Sequence, residues 1–515
     1  MNGQLKVPNT ERTQNLLLDF DSKSLAAEIK DLPYVDIPSA LMLVHRKLHS
    51  FNRFYLSPVK RLQLVGPFHY AFQRFLDYYR NQFSGGLFAR EMNPNDLENL
   101  MSFIQELGFA YKHIVQDTLQ KNKKPAGIAT AIYMAMSYQY YYAMFSYNRG
   151  RMLSNGFWKD IHQLYFLGCE LGQEDLAVST PEEKNVSLTQ LYKRCILMGL
   201  SSPHAMTAED QWRTSDYLIR HGDLMKLLIP DSVAAITESY HVVVDCQAPA
   251  NVPNYKDFNI PFLEDCRVLD LTPLLETVHR HLRAAQTGDT SHTVHIGNLP
   301  RQQAVDFFTN LYNTWSHNTE RQHERKPIDE KIGLVWGLEN ICRMLDPEHR
   351  RLASLESRNN SADNRAWSRG KDESVTGIRV SVSGDAAPQA GQVVAMIRQR
   401  NSGKILQIGM VKWAAISQDE LPECGITLLR GNTHKVDILH PEDAEDRRNG
   451  LLVLQKGRPQ NPARCLVVAP NKLLKTGTET AIQSPEHMEK QQIEVQNITQ
   501  RSRLVDVYAV KLVEN

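Results

Sequence analysis

The sequence has no Cys-x-x-Cys spacing, no long apolar run and almost no net charge, and each absence closes off a class of function. Its seven cysteines (Cys169, Cys195, Cys246, Cys266, Cys342, Cys424, Cys465) are scattered and odd in number. Neither a disulfide framework nor a thiolate zinc site is expected, and a reducing cytoplasm is the expected setting. No stretch of 18 apolar residues is present to span a bilayer. The first residues, Met-Asn-Gly-Gln-Leu-Lys-Val-Pro-Asn, lack the apolar segment of a secretory signal. A formal net charge of +1 excludes a general polyanion-coating role, so an anion site must come from local arginine placement. Catalytic signatures are missing too. There is no G-x-S-x-G and no H-E-x-x-H, and Ser402-Gly-Lys404 lacks the upstream Gly and following Ser/Thr of a phosphate loop. His279 and His281, two apart on a helix, point apart. Neither that pair nor His292/His295 has a Cys or carboxylate to complete a ligand set. No metal, no cofactor and no catalysis are expected.

What is present reads as a multidomain α + β chain, since 515 residues exceed one ordinary core. Residues 1–230 read as a helical bundle or irregular helical repeat without a clean 34-residue period. In the segment from Asn95 to Leu119, Leu97, Leu100, Ile104, Leu107, Tyr111 and Ile114 recur at three- and four-residue spacing, one apolar face. Gly127 to Asn148 is apolar or aromatic nearly all round, which predicts a central buried helix. Its tyrosines (Tyr133, Tyr138, Tyr140, Tyr141, Tyr142, Tyr147) are expected in the core rather than in a ligand cage. Residues 231–316 change character and read as a small α/β adaptor. After Arg325 the texture becomes β, with short apolar runs between turns. Residues 317–440 form one β domain in this reading, and 441–515 a β extension or second barrel. The polar, arginine-rich stretch from Asp346 to Gly370 interrupts the first as a surface loop.

Two short motifs flank the strand-like run Lys331-Ile-Gly-Leu-Val-Trp-Gly-Leu338. Arg321 and Arg325 lie in E-R-Q-H-E-R-K-P, and Asp372, Ser374 and Gly377 lie in K-D-E-S-V-T-G-I. Downstream come Gly391-Gln-Val-Val, Gly409-Met-Val-Lys-Trp413 and Cys424-Gly-Ile-Thr-Leu428. This ordered series resembles the PilZ family of bacterial receptors for cyclic diguanylate (cyclic di-GMP) over roughly Arg321 to Leu429. The resemblance implies an antiparallel β-barrel, with additional β structure after it. It also implies a cyclic di-GMP site of Arg321, Arg325, Asp372, Ser374 and Gly377. Two features depart from the family. Ile378 follows Gly377 where a second Gly is common, and the arginine pair is separated from Asp372 by a longer stretch. A second R-x-x-x-R, Arg365 and Arg369, is a candidate auxiliary clamp.

The chemistry of these residue types fits the ligand. A guanidinium fork can bond guanine O6 and N7 bidentately, clamp a phosphate or stack on a purine. A carboxylate accepts from guanine N1 and N2, which separates guanine from adenine. Ser374 offers a small hydroxyl, and Gly377 allows close backbone approach. Trp413 is expected as a barrel core plug. A long helical front before a late barrel is similar in layout to the FimW-type receptors of the type IV pilus system. That likeness implies a noncatalytic receptor in the cytoplasm, near the cell pole, coupling nucleotide binding to a protein partner in pilus assembly or surface motility. The alternative is an interaction scaffold whose degenerate barrel no longer binds nucleotide.

Overall fold

The computed structural model describes residues 5–11, 21–84, 93–120, 127–180, 183–229, 241–243, 267–289, 299–316, 324–347, 367–383, 388–400, 403–440, 443–455, 464–485, 487–502 and 504–513. The chain divides into two compact units, Met1–Glu320 and Arg321–Asn515. No helix among the described residues is long and apolar enough to cross a membrane.

Unit 1 is helical: α1 (Ser22–Lys30), α2 (Ile37–Arg53), α3 (Pro58–Ser84), α4 (Pro94–Gln120), α5 (Ile128–Asn148), α6 (Asn155–Glu170), α7 (Leu188–Leu200) and α8 (Ala208–His221). Short polar side chains start several of these helices. The Asp21 carboxylate accepts from the first backbone N–H groups of α1, and Ser187 with Gln190 forms a reciprocal capping box on α7. The periodic apolar positions of α4, from Leu97 to Ile114, are all buried. Each such Leu or Ile removed from water contributes roughly 1.5–3 kcal/mol. α5 is buried nearly all round and is the central helix. Its tyrosines serve the core, with Tyr133 donating to Glu183 at 2.8 Å and Tyr140 to Ser215 at 2.7 Å. The unit continues with β1 (Lys226–Leu228), β2 (His241–Val243), β3 (Arg267–Asp270), α9 (Thr272–Thr287) and α10 (Arg301–Trp315). β3 is the middle strand of a three-stranded sheet. Leu269, Leu274, Val278, Phe308, Leu311 and Trp315 belong to the same apolar core as α2–α8. Trp315 is fully buried and donates its indole N–H to Ser201 Oγ at 3.1 Å.

Unit 2 holds two closed six-stranded barrels. The first comprises β4 (Lys326–Trp336), β5 (Trp367–Glu373), β6 (Gly377–Ser381), β7 (Val393–Arg400), β8 (Gly403–Ile416) and β9 (Pro422–Leu429), with α11 (Leu338–Leu345) after β4. The second comprises β10 (Asn432–His440), β11 (Asp443–Gln455), β12 (Arg464–Pro470), β13 (Glu479–Ser484), β14 (His487–Arg501) and β15 (Val505–Leu512). Their strand orders, β4-β5-β6-β9-β8-β7 and β10-β11-β12-β15-β14-β13, are the same topology written twice.

The correspondence extends to single hydrogen bonds. Gly391, at φ +84°, donates to Val411 O at 2.7 Å, and Val411 N returns a bond to Gln392 O at 2.9 Å. Gly477, at φ +79°, donates to Val495 O at 2.7 Å, and Val495 N returns one to Thr478 O at 3.0 Å. Each barrel then carries an irregularity directly after that valine. The interiors match as well: Ile332, Val380, Val394, Met396, Val411 and Ile426 fill the first barrel, and Val436, Val467, Ile482, Val495 and Val510 the second. Between them α11 places Leu338, Ile341, Cys342 and Leu345 in a shared apolar layer. Val393, Ala395, Ile408 and Met410 join it from barrel 1, with Leu451, Val453, Leu466, Val468, Val505 and Val507 from barrel 2. Lys435 pairs with Asp346 at 2.6 Å at the end of α11.

Candidate functional site

The aspartate–serine–glycine motif forms the β5–β6 hairpin of barrel 1. Ser374 N donates to Gly377 O at 2.7 Å, and Ser374 Oγ accepts from Gly377 N at 3.2 Å. In this state the serine hydroxyl shapes the turn rather than standing free for a ligand. Gly377 is required for a close approach, not for a left-handed backbone. A Cβ there would sit 2.8 Å from the backbone oxygen of Ile426 on the neighbouring strand β9.

Asp372 precedes this turn at the end of β5, next to an irregularity in the pairing of β5 with β6. Its carboxylate is ion-paired with Arg325, which stands just before β4, and both side chains are partly exposed. The structure therefore joins Arg325, Asp372, Ser374 and Gly377 within one corner of the barrel wall. Arg321 and Arg365 lie outside the described residues, as do His292 and His295. Arg369 lies on β5 itself, and its guanidinium forks onto Asp329 at 2.6 and 2.7 Å on an exposed surface. Its partner is thus not Asp372.

Two groups beside the motif escaped the sequence reading, and a third stands elsewhere than expected. Arg379 on β6 stands opposite Asp372, with Nη1 3.9 Å from the carboxylate, and its Nε donates to Glu423 at 3.0 Å. Glu423 is buried. Behind the hairpin, Arg398 is 1% exposed and bridges two carboxylates, Glu330 and Glu373. Both charges hold the guanidinium above its ordinary pKa, Glu373 and Glu330 acting through hydrogen bonds. The third group is Trp413. The irregularity after Val411 turns this indole onto the outer wall, over Gly425, so it is not the expected core plug. A side chain at 425 would collide with the ring. Opposed residues on adjacent strands share a face, so Asp372, Arg379, Gly425 and Trp413 form one continuous row across β5, β6, β9 and β8.

Elsewhere, His45, His49 and Glu106 in unit 1 bring potential metal-ligating atoms within 4.8 Å of one another. Glu106 already accepts from Arg53 at 2.6 and 2.7 Å and from Asn52 at 2.7 Å, so a fixed cation holds its charge.

Residues 23–231 match the family described as "Cyclic-di-GMP receptor FimW, N-terminal domain". Over that segment the chain resembles FimW. A curated relative, the cyclic-di-GMP receptor FimW of Pseudomonas aeruginosa (strain PAO1), is 22% identical over 353 residues, 65% of this chain and 55% of the relative. The chain thus spans about half the length of the FimW relative it matches. The matched family segment is the helical front that precedes the barrels, α1 through β1.

Proposed function

We propose that this chain is a noncatalytic receptor for cyclic di-GMP whose site lies on the β5–β6 corner of a PilZ-like barrel 1. The observation that carries the reading is the Arg325–Asp372 pair at the Asp-x-Ser-x-x-Gly hairpin, on a chain whose helical front is FimW-like. Asp372 offers guanine two acceptor oxygens for N1–H and N2–H. Arg325, once released, offers the planar fork that bonds O6 and N7 or clamps a phosphate. The ligand must first replace the ion pair, and that costs little. The two side chains are 30% and 23% exposed, and pairs of this kind contribute about 0–1 kcal/mol. Two ligand contacts to the freed groups outweigh it.

Output follows from differential affinity of the nucleotide for two states of the corner, with Arg325 on Asp372 in one and on ligand in the other. The similarity in layout to FimW-type receptors points to a protein partner in type IV pilus assembly or surface motility, met in the cytoplasm near the pole. Arg321 is the motif partner of Arg325 in this proposal, with Arg365 and Arg369 as auxiliary groups. The test is calorimetric titration of the full chain with cyclic di-GMP beside Arg321→Ala, Arg325→Ala and Asp372→Ala. Saturable binding that the variants lose supports the receptor. A folded wild type that does not bind leaves the scaffold reading.

A further inference from the structure

The two barrels of unit 2 provide an internal comparison for the site, because the pairing registers align them residue by residue. In barrel 1 the row across β5, β6, β9 and β8 reads Asp372, Arg379, Gly425, Trp413. The matching row across β11, β12, β15 and β14 reads Val453, Leu466, Ala509, Asn497. Two residues further along the third strand, Glu423 opposite Ser381 corresponds to Val507 opposite Val468. Barrel 2 has therefore made this face apolar at every one of these positions but Asn497, and Val453, Leu466, Val468 and Val507 are buried in the layer shared with α11 and barrel 1. Barrel 1 keeps the same face charged, with Asp372 and Arg379 partly exposed.

The fold itself does not demand the charges, since barrel 2 closes with Leu and Val in their place. Arg379 and Glu423 are specific to the copy that carries the Asp-x-Ser-x-x-Gly hairpin. We infer that Arg379 is a further ligand-binding residue of the cyclic di-GMP site and that Glu423 is its positioning residue. The inference rests on the receptor reading and adds to it.

Geometry defines the roles. Glu423, buried at 5% exposure, receives both Nε and Nη2 of Arg379. The fork is thereby fixed on one edge, and the Nη1 edge is turned toward Asp372. A ligand whose guanine edge occupies Asp372 brings its anionic phosphate beside that edge. Arg379 then donates to the phosphate while Glu423 holds its plane. Arg325 approaches Asp372 from the other side, so the carboxylate lies between two guanidinium groups. This arrangement suits a ligand that carries a guanine and a phosphate close together.

The test grafts barrel 2's own pair onto barrel 1. The double variant Arg379→Leu with Glu423→Val is expected to fold, because the same pair closes barrel 2. Hydrogen exchange in β6 and β9 of the full chain verifies that. Calorimetric titration with cyclic di-GMP should show roughly a 10- to 100-fold weaker affinity, the range expected for one charge-assisted hydrogen-bonded contact. The remaining binding should lose part of its salt dependence, which a purely structural role would leave unchanged. Arg379→Lys keeps the charge without the fork and should recover binding in part. Glu423→Gln should weaken binding less than loss of Arg379 does. A folded double variant that binds within twofold of wild type overturns the inference and leaves the receptor reading intact. A wild type that does not bind overturns both.

Discussion

Replacing Arg398 by Met tests whether the ligand corner rests on a charged support. Arg398 Nε lies 3.1 Å from both oxygens of Glu330, its Nη1 and Nη2 lie 2.6 and 2.9 Å from the oxygens of Glu373, and Nη1 also reaches Gln407 at 3.3 Å. Its removal takes their shared cation away from Glu330 and Glu373. Breaking one side of a buried ion pair costs about 3–5 kcal/mol. The glutamates are 23% and 24% exposed, and solvent relieves part of that, leaving an expected cost of about 2–4 kcal/mol. On the intact chain, amides of β4, β5 and β7 should then exchange roughly 30- to 700-fold faster, while α4 and α5 are unaffected. Adding Glu330→Gln and Glu373→Gln to Arg398→Met should restore most of the protection, because the uncompensated charges are the cost. Exchange within threefold of wild type in the single variant would show that the corner does not depend on Arg398.

Three further perturbations have signed outcomes. Gly377→Ala would ordinarily stabilise by stiffening the unfolded chain. Here the new Cβ meets the Ile426 carbonyl at 2.8 Å, so strand β6 must shift. A loss of about 1–3 kcal/mol is expected in thermal unfolding, together with weaker nucleotide binding. Leu466→Asp places a carboxylate in the layer shared by α11 and both barrels, and faster hydrogen exchange should appear in α11, β11 and β12. Burial lowers the pKa of His113 to about 3 and of His204 to about 4. Below the ordinary value of 6.5 the unfolded chain therefore binds protons that the folded chain refuses. Their contribution to stability is fully present above pH 6.5 and falls as pH drops toward 4, by up to about 1.4 kcal/mol per pH unit for each group. Denaturant titrations between pH 7 and 4 should show this slope, and His204→Gln should reduce it by about one proton.

Much of the architecture was legible because it rests on periodicity. The buried face of α4 and the all-round burial of α5 follow directly from residue spacing, and the ordered strands from Gln392 to Leu429 follow from short apolar runs. Four strands escaped: β1, inside the span read as helical, β5, which begins at Trp367 within the Asp346 to Gly370 stretch read as a surface loop, and β10 and β13. β10 offers Val436 and Ile438 to the interior among charged neighbours, and β13 is six residues long with little more than Ala481 and Ile482 inward. α11 escaped because its one-sided stripe of Leu338, Ile341, Cys342 and Leu345 is short and directly follows a strand. The duplication of the barrel is invisible in residue identity. It resides in pairing registers, a matched glycine with positive φ and a matched irregularity, while the outer wall has changed from Arg379 and Glu423 to Leu466 and Val507. The motif itself named one corner of the site. The row it belongs to is scattered between positions 372 and 425 and assembled only by strand pairing. Arg379 between Ile378 and Val380 was the available signal, a lone cation alternating with core residues.

Barrel 1 of this chain is proposed to receive cyclic di-GMP at the Asp372 corner. The most direct measurement is calorimetric titration of the full chain with cyclic di-GMP, wild type beside Asp372→Ala. Saturable binding to the wild type at one site per chain is expected, since barrel 2 has buried Val453, Leu466, Val468 and Val507 on the equivalent face, and the variant should lose it. Binding that survives Asp372→Ala, or a folded wild type that takes up no nucleotide, would contradict that proposal.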